Sequence, residues 1–402
     1  MKTKLDNLAM FGGKPSFREA LHVGRPNIGN RQRLMERIND LLDGRWLTNN
    51  GPFVQDFERR ICELLGVKHA IAMCNGTVAL EIAARALGLK GEVIIPSFTF
   101  IATAHALQWQ EITPVFCDID PVTYTIDPGQ IEKMITPRTS GIIGVHLWGR
   151  PCDVEAVNHI ATRHKLKVLF DAAHSFGSSY RGQMVGNFGD GEVFSFHATK
   201  FFNTFEGGAF VTNDDDLAKK IRLMKNFGFA GLDNVIYIGT NGKMNEISAA
   251  MGLTSLESMD EFIVANRRNY KIYQKELSQV PGIRLLTFDE GEKCNYQYIT
   301  IEIDKSITAV SRDHMIRVLE AENVLARRYF FPGCHRMEPY RSYFPHAGLL
   351  LPVTERIAKR VISLPTGSAL GEEKVRKICH VIQFIVDSGG EISSRLKAEQ
   401  DS

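Results

Sequence analysis

Lys200 stands directly beyond an alternating apolar stretch in FSFHATKFFNTFEGGAFVTND, residues 194–214, and is followed by Phe201, Phe202, Phe205, an acidic residue and a Gly-Gly pair. Upstream, Asp171 ends the apolar run of KVLFDAAHSFG, with His174 three residues on, and Cys74-Asn75-Gly76-Thr77 separates an apolar run from a stretch of helical period. Each group has an ordinary use: an exposed lysine, an aspartate capping a helix, an Asn-Gly turn with a threonine cap. Each also has a chemical use. A lysine amine condenses reversibly with an aldehyde, and the free N–H groups of Gly76 and Thr77 at a helix start, with the helix dipole, make a place for a phosphate.

Order and company favour the chemical uses. A phosphate cradle, then an aspartate, then a lysine roughly thirty residues later, all at strand ends, is the set that pyridoxal phosphate requires. The lysine carries the cofactor aldehyde as a Schiff base that a substrate amine can displace. Desolvation of the lysine favours its neutral amine, and Phe201, Phe202 and Phe205 are possible sources of an apolar wall. A buried aspartate keeps the pyridine nitrogen protonated, so that the ring can accept electrons. Phe98 and Phe100 in PSFTFIATAHA read as core residues, or one of them as a stacking partner for the ring.

The elements that must position these groups are legible. From about residue 69 to 260, short apolar runs ending at Gly, Pro, Asn or Asp alternate with amphipathic stretches of helical length. HAIAMC, GEVIIP, TPVFCDID, SGIIGVHLWG and KVLF read as strands; NGTVALEIAARALGL, TFIATAHALQWQ and DVEAVNHIATRHKL read as helices. That alternation predicts an α/β fold with a mainly parallel sheet flanked by helices, and ligands at the carboxyl ends of its strands. Beyond residue 260 a charged helix, EFIVANRRNYKIYQKELSQV, leads to strands at PGIRLL and YQYITIEI and helices at DHMIRVLEAENV and EEKVRKICHVIQFIVDSG, which predicts a smaller α+β domain. The expected division is residues 1–260, including the N-terminal segment, and 261–402.

Bulk properties narrow the partners. At 402 residues the chain exceeds one ordinary core, so two lobes with a cleft are expected. The 48 basic and 46 acidic residues give a net charge of +2, no footprint for nucleic acid or an anionic membrane, and point to a small-molecule partner. Seven scattered cysteines without C-x-x-C spacing argue against a disulfide framework or zinc site and for a reducing, cytoplasmic setting. No apolar run approaches the length of a spanning helix, and no P-loop, G-x-G-x-x-G after a strand, or H-E-x-x-H occurs.

In order, NGT, PSFTFIATAHA, IGVHLWGRPCDV, DAAHSFG, VFSFHATKFFNTFEGGA and NGKMNEISAAMG resemble the sugar-nucleotide aminotransferases of the DegT/StrS type, within the fold-type I pyridoxal-phosphate enzymes. The likeness runs from GRWLTNNGPFVQDFE, at about residue 44, to at least residue 260. It implies that Lys200 is the Schiff-base lysine, Asp171 the partner of the pyridine nitrogen, His174 the neighbour of the 3-hydroxyl and Phe100 the stacking aromatic. It implies phosphate contacts from Gly76, Thr77 and Ser195, and from Asn241 and Lys243 of the other subunit of a homodimer. Phe170 and Asn75 depart from the Glu and Ser common in relatives at those places. Relatives that dehydrate sugars hold histidine at the lysine position, so Lys200 argues for transamination.

The resemblance further implies L-glutamate as donor and a nucleotide-linked keto sugar as acceptor, most closely dTDP-4-dehydro-6-deoxy-D-glucose. A GDP-linked 4-keto-6-deoxymannose or a 3-keto sugar is the alternative acceptor, and a regulatory protein that keeps the fold is the alternative outside enzymes. The aromatic and cationic segment RRYFFPGCHRMEPYRSYFP, residues 327–345, suits a nucleotide sugar or an ordinary interdomain loop.

Overall fold

The computed structural model describes residues 2–398. Its centre is a seven-stranded sheet of β1 (His69–Met73), β2 (Glu92–Pro96), β3 (Thr113–Cys117), β4 (Thr139–Val145), β5 (Lys167–Asp171), β6 (Gly191–Ser195) and β7 (Gly208–Thr212), in the order β1-β7-β6-β5-β4-β2-β3. Strand β7 runs antiparallel to β1 and β6, and the other pairs are parallel.

The near-continuous apolar character of these strands follows from burial of both faces. Val93 and Ile95 pack on one side beside α1 (Gly76–Ala86) and α2 (Ala102–Gln108), whereas Ile94 packs on the other beside α3 (Val154–His164). Leu169 and its neighbours Val168 and Phe170 divide in the same way. At the start of α1, Asn75 is the cap, its side chain accepting the Val78 N–H at 2.8 Å. Thr77 is therefore freed from capping.

After α4 (Glu246–Glu257) and α5 (Met259–Leu277), a second, antiparallel sheet has the order β8 (Ile283–Leu285), β9 (Ile299–Ile303), β10 (Val361–Leu364). Tyr270, Tyr273, Ile301 and Ile362 form its core with Val375 and Ile382 of α6 (Glu372–Asp387). The N-terminal segment, which the sequence reading groups with the large domain, enters this second core. Leu5, Leu8, Phe17 and Leu21 are buried in it, and Leu21–His22 pairs in parallel with Val324–Leu325.

Among the described residues no helix is long and apolar enough to cross a membrane, and no group of three or more His, Cys, Asp or Glu is arranged to hold a metal. All seven cysteines are unpaired.

Candidate active site

A cavity of about 500 Å³ lies at the carboxyl ends of the central strands, and Gly76, Thr77, Phe100, Asp171, His174, Ser195 and Lys200 all line it. Asp171 is the last residue of β5 and Ser195 the last of β6, while Gly76 and Thr77 begin α1. Groups separated by more than a hundred residues thus converge because the parallel strands end on one side.

Lys200 follows β6 in a tight turn, its N–H donating to the His197 carbonyl at 2.9 Å. Burial brings its ammonium down to about 8, against the opposing pull of Asp171. The apolar wall beside it is not the run of phenylalanines. Phe201 and Phe202 turn into the core behind the sheet and Phe205 is exposed, while the Tyr298 ring lies 5.9 Å from Lys200 Nζ.

Asp171 is almost wholly buried, which raises its carboxyl, and hydrogen bonds from Thr103 and Ala173 and the charges of Lys200 and His146 restrain that rise. Its Oδ2 accepts the Thr103 hydroxyl at 2.8 Å and its Oδ1 the Ala173 N–H at 3.1 Å. His174 Nδ1 accepts the Trp148 N–H at 3.2 Å, which puts the proton of the neutral ring on Nε2. Burial, together with the positive charge of Lys200, holds that ring neutral. Its face lies parallel to Phe330, with centroids 5.8 Å apart.

The two candidate stacking aromatics separate cleanly. Phe98 is buried against Trp148, whereas Phe100 lines the cavity and is 55% exposed. Phe170, where relatives have glutamate, stacks on His146 with centroids 4.9 Å apart. The cradle at α1 is tight: a Cβ on Gly208 would come within 2.6 Å of the Gly76 nitrogen, and one on Gly76 within 3.0 Å of the Ser195 Cβ. Only glycine lets β7 pass so close to the helix start.

Asn241 and Lys243 stand apart from this cavity. Asn241 is exposed and bridges to Asn226, and Lys243 Nζ donates to Asn226 Oδ1 at 3.0 Å over the Phe227 ring. Sequence reasoning missed Tyr298 and Thr99 on the cavity wall, and reached Tyr329 and Phe330 only as part of segment 327–345. Tyr298 comes from beyond residue 260, where no local motif marks it.

Segment 327–345 both borders the cavity and connects the two sheets. Tyr329 and Phe330 face the cavity, but His335 fastens the segment to the end of β2, its Nδ1 2.7 Å from Ser97 Oγ and its Nε2 2.9 Å from Glu355 Oε1. Tyr340 packs against Phe116 and His105.

These residues fit pyridoxal phosphate. An amine of lowered basicity, a buried carboxylate, a helix start with uncommitted N–H groups and an exposed aromatic face share one cavity. Bound there, the cofactor supplies an aldehyde and a ring that accepts electrons from a deprotonated carbon.

Comparison with known proteins agrees. The model of the DegT/DnrJ/EryC1/StrS aminotransferase family matches residues 29–383. The dTDP-4-amino-4,6-dideoxy-D-glucose transaminase of Shigella dysenteriae is 38% identical, over 92% of this chain and 99% of its own. The GDP-perosamine synthase of Caulobacter vibrioides is 35% identical over 91% and 98%. Among solved structures, DesI in the presence of its TDP-sugar product superposes with a TM-score of 0.94 at 49% identity, covering 98% of this chain and 100% of DesI. With that coverage on a cavity suited to pyridoxal phosphate, the chain belongs to the DegT/DnrJ/EryC1/StrS family of pyridoxal-phosphate-dependent aminotransferases.

Proposed function

We propose that this aminotransferase passes the amino group of L-glutamate to carbon 4 of dTDP-4-dehydro-6-deoxy-D-glucose. The observation that carries the reading is the meeting of Lys200, Asp171 and the start of α1 in one cavity. The choice of sugar is supported by the full-length likeness to the Shigella dysenteriae transaminase and to DesI. A GDP-linked 4-keto-6-deoxymannose is the second candidate, favoured by the 35% identity to the perosamine synthase.

In this reading each side chain has a task. The N–H groups of Gly76 and Thr77, with the Ser195 hydroxyl, bind the cofactor phosphate. Asp171 holds the proton of the ring nitrogen, His174 Nε2–H donates to the 3-hydroxyl, and Phe100 covers one face of the ring. The Lys200 amine holds the cofactor covalently between turnovers and, when displaced, carries a proton off and onto the carbon that bears the transferred nitrogen. Tyr298, Tyr329 and Phe330 exclude water from that step.

Asn241 and Lys243 are assigned to the phosphate of the neighbouring subunit in a homodimer. Exposed apolar side chains on the same stretch of chain, Phe229, Leu232 and Ile238, together with Trp46 and Leu47, whose carbonyl accepts the Glu246 N–H, are what a second copy would cover. The unpaired cysteines suit a cytoplasmic setting.

The test is to supply pyridoxal phosphate, glutamate and a panel of dTDP- and GDP-linked keto sugars, and to detect amino sugars by mass. Amination of the dTDP-4-keto sugar is expected. A bound-cofactor spectrum that glutamate leaves unchanged would overturn the reading.

A further inference from the structure

Asp171 is held by a partner outside its own segment. Thr103, fully buried on α2, donates its hydroxyl to Asp171 Oδ2 at 2.8 Å, across 68 positions of sequence. A threonine in a helix commonly returns this hydrogen bond to a carbonyl of the preceding turn. Here it goes to a carboxylate. The Thr103 oxygen also meets Thr99 Oγ1 at 3.1 Å, and Thr99 is 2% exposed on the cavity wall.

The direction of this chain is fixed by donor inventory. An ionised carboxylate only accepts, so the Thr103 proton is committed to Asp171, and the Thr99 hydroxyl must donate to Thr103. Donors lined up in this way polarise one another and favour the charge at the end of the chain. The other titratable groups whose charge bears on Asp171 are Lys200 and His146, and both favour its ionised form. His146 is itself 3.2 Å from the buried Glu192 carboxylate, and His174, on the turn after β5, is neutral. Burial opposes all of them.

We propose that Thr103, supported by Thr99, is a positioning residue that keeps Asp171 ionised and fixes its rotation toward the ring nitrogen of the cofactor. The inference rests on the reading of Asp171 as that nitrogen's partner. Loss of the hydroxyl would weaken the negative charge at the nitrogen, and the imine nitrogen at Lys200, facing a less positive ring, would hold its proton to higher pH.

The experiment loads the full-length protein with pyridoxal phosphate and titrates its visible absorption against pH, in the wild type and in Thr103→Val, Thr103→Ser and Thr99→Val. In Thr103→Val the midpoint should rise by about half a unit or more. kcat should fall about tenfold, the worth of one hydrogen bond to a charged group. KM for glutamate should stay within about twofold. Thr103→Ser should restore the wild-type midpoint, and Thr99→Val should shift it upward by less. A wild-type titration in Thr103→Val, or a serine variant as shifted as the valine one, would overturn the proposal. Asp171→Asn separates the two levels: if it shifts the midpoint while Thr103→Val does not, the threonine relay alone is wrong, and if it leaves the midpoint unmoved, the role of Asp171 falls and the relay with it.

Discussion

Lys200 and Asp171 face one cavity from the loop after β6 and the end of β5, and burial acts on them in opposite senses. It draws the lysine down to about 8 and pushes the aspartate up, while the charge of each resists the shift of the other. An amine and a carboxylate so placed both lie nearer to neutral pH than they would in water. That is the condition for an amine to be a nucleophile and for a carboxylate to share a proton with a ring nitrogen.

The pH dependence of cofactor capture follows. Only the neutral amine attacks an aldehyde, and the folded-state value of Lys200 lies below the free one, so the neutral fraction rises as pH increases through about 8 and levels off above it. The rate at which the apo protein takes up pyridoxal phosphate, followed by absorbance, should show that midpoint. A midpoint at the value of a free lysine, about 10.4, would contradict the buried site.

Lys200→Ala should lower transamination by at least about 10³-fold, the scale of losing a positioned proton-transferring group. The variant should still melt cooperatively. Retention of wild-type turnover would remove Lys200 from the chemistry.

Gly208→Ala should weaken pyridoxal phosphate binding about tenfold or more, because its new Cβ would press within 2.6 Å of the Gly76 nitrogen. Equilibrium dialysis measures this. Unchanged affinity would mean that the start of α1 does not hold the phosphate.

His335→Ala should cost about 1–3 kcal/mol in urea unfolding, since it empties a buried position and removes the ring's hydrogen bonds to Ser97 and Glu355 at 2.7 and 2.9 Å, while the backbone N–H of residue 335 still reaches Ser97 and Arg336 still pairs with Glu355. It should also raise KM for the sugar nucleotide, because Tyr329 and Phe330 ride on the segment that His335 fastens. A stable variant with unaltered KM would separate that segment from the site.

Mixing Lys200→Ala chains with Lys243→Ala chains should restore activity absent from either parent. Lys243 is outside its own chain's cavity, so one hybrid site would have both groups intact. Two inactive parents whose mixture stays inactive would argue against shared sites.

The sequence made the large sheet and the centre of the site legible for a physical reason. Strands buried on both faces read as unbroken apolar runs, and the candidate groups follow where such runs stop: Asp171 directly after KVLF, His174 three residues further, and Lys200 five residues beyond Ser195. Tyr298 was hidden because it reaches the cavity only through packing of the second unit, where an aromatic in a loop looks like any core residue; Tyr329 and Phe330 were visible only as members of the aromatic segment 327–345, not as individual wall residues. Thr103 was hidden by its helix: nothing local reveals that its hydroxyl crosses to a strand 68 positions away. The fastening of the N-terminal segment to the second core escaped notice because Leu5, Leu8 and Phe17 carry no periodicity of their own.

The most direct test of the account is to load the protein with pyridoxal phosphate, reduce it with borohydride, digest it and locate the pyridoxyl group by mass spectrometry. The account places the group on the peptide containing Lys200, at that side chain alone, with glutamate added beforehand suppressing it. A label on another lysine, or none on a protein that still aminates sugars, would contradict it.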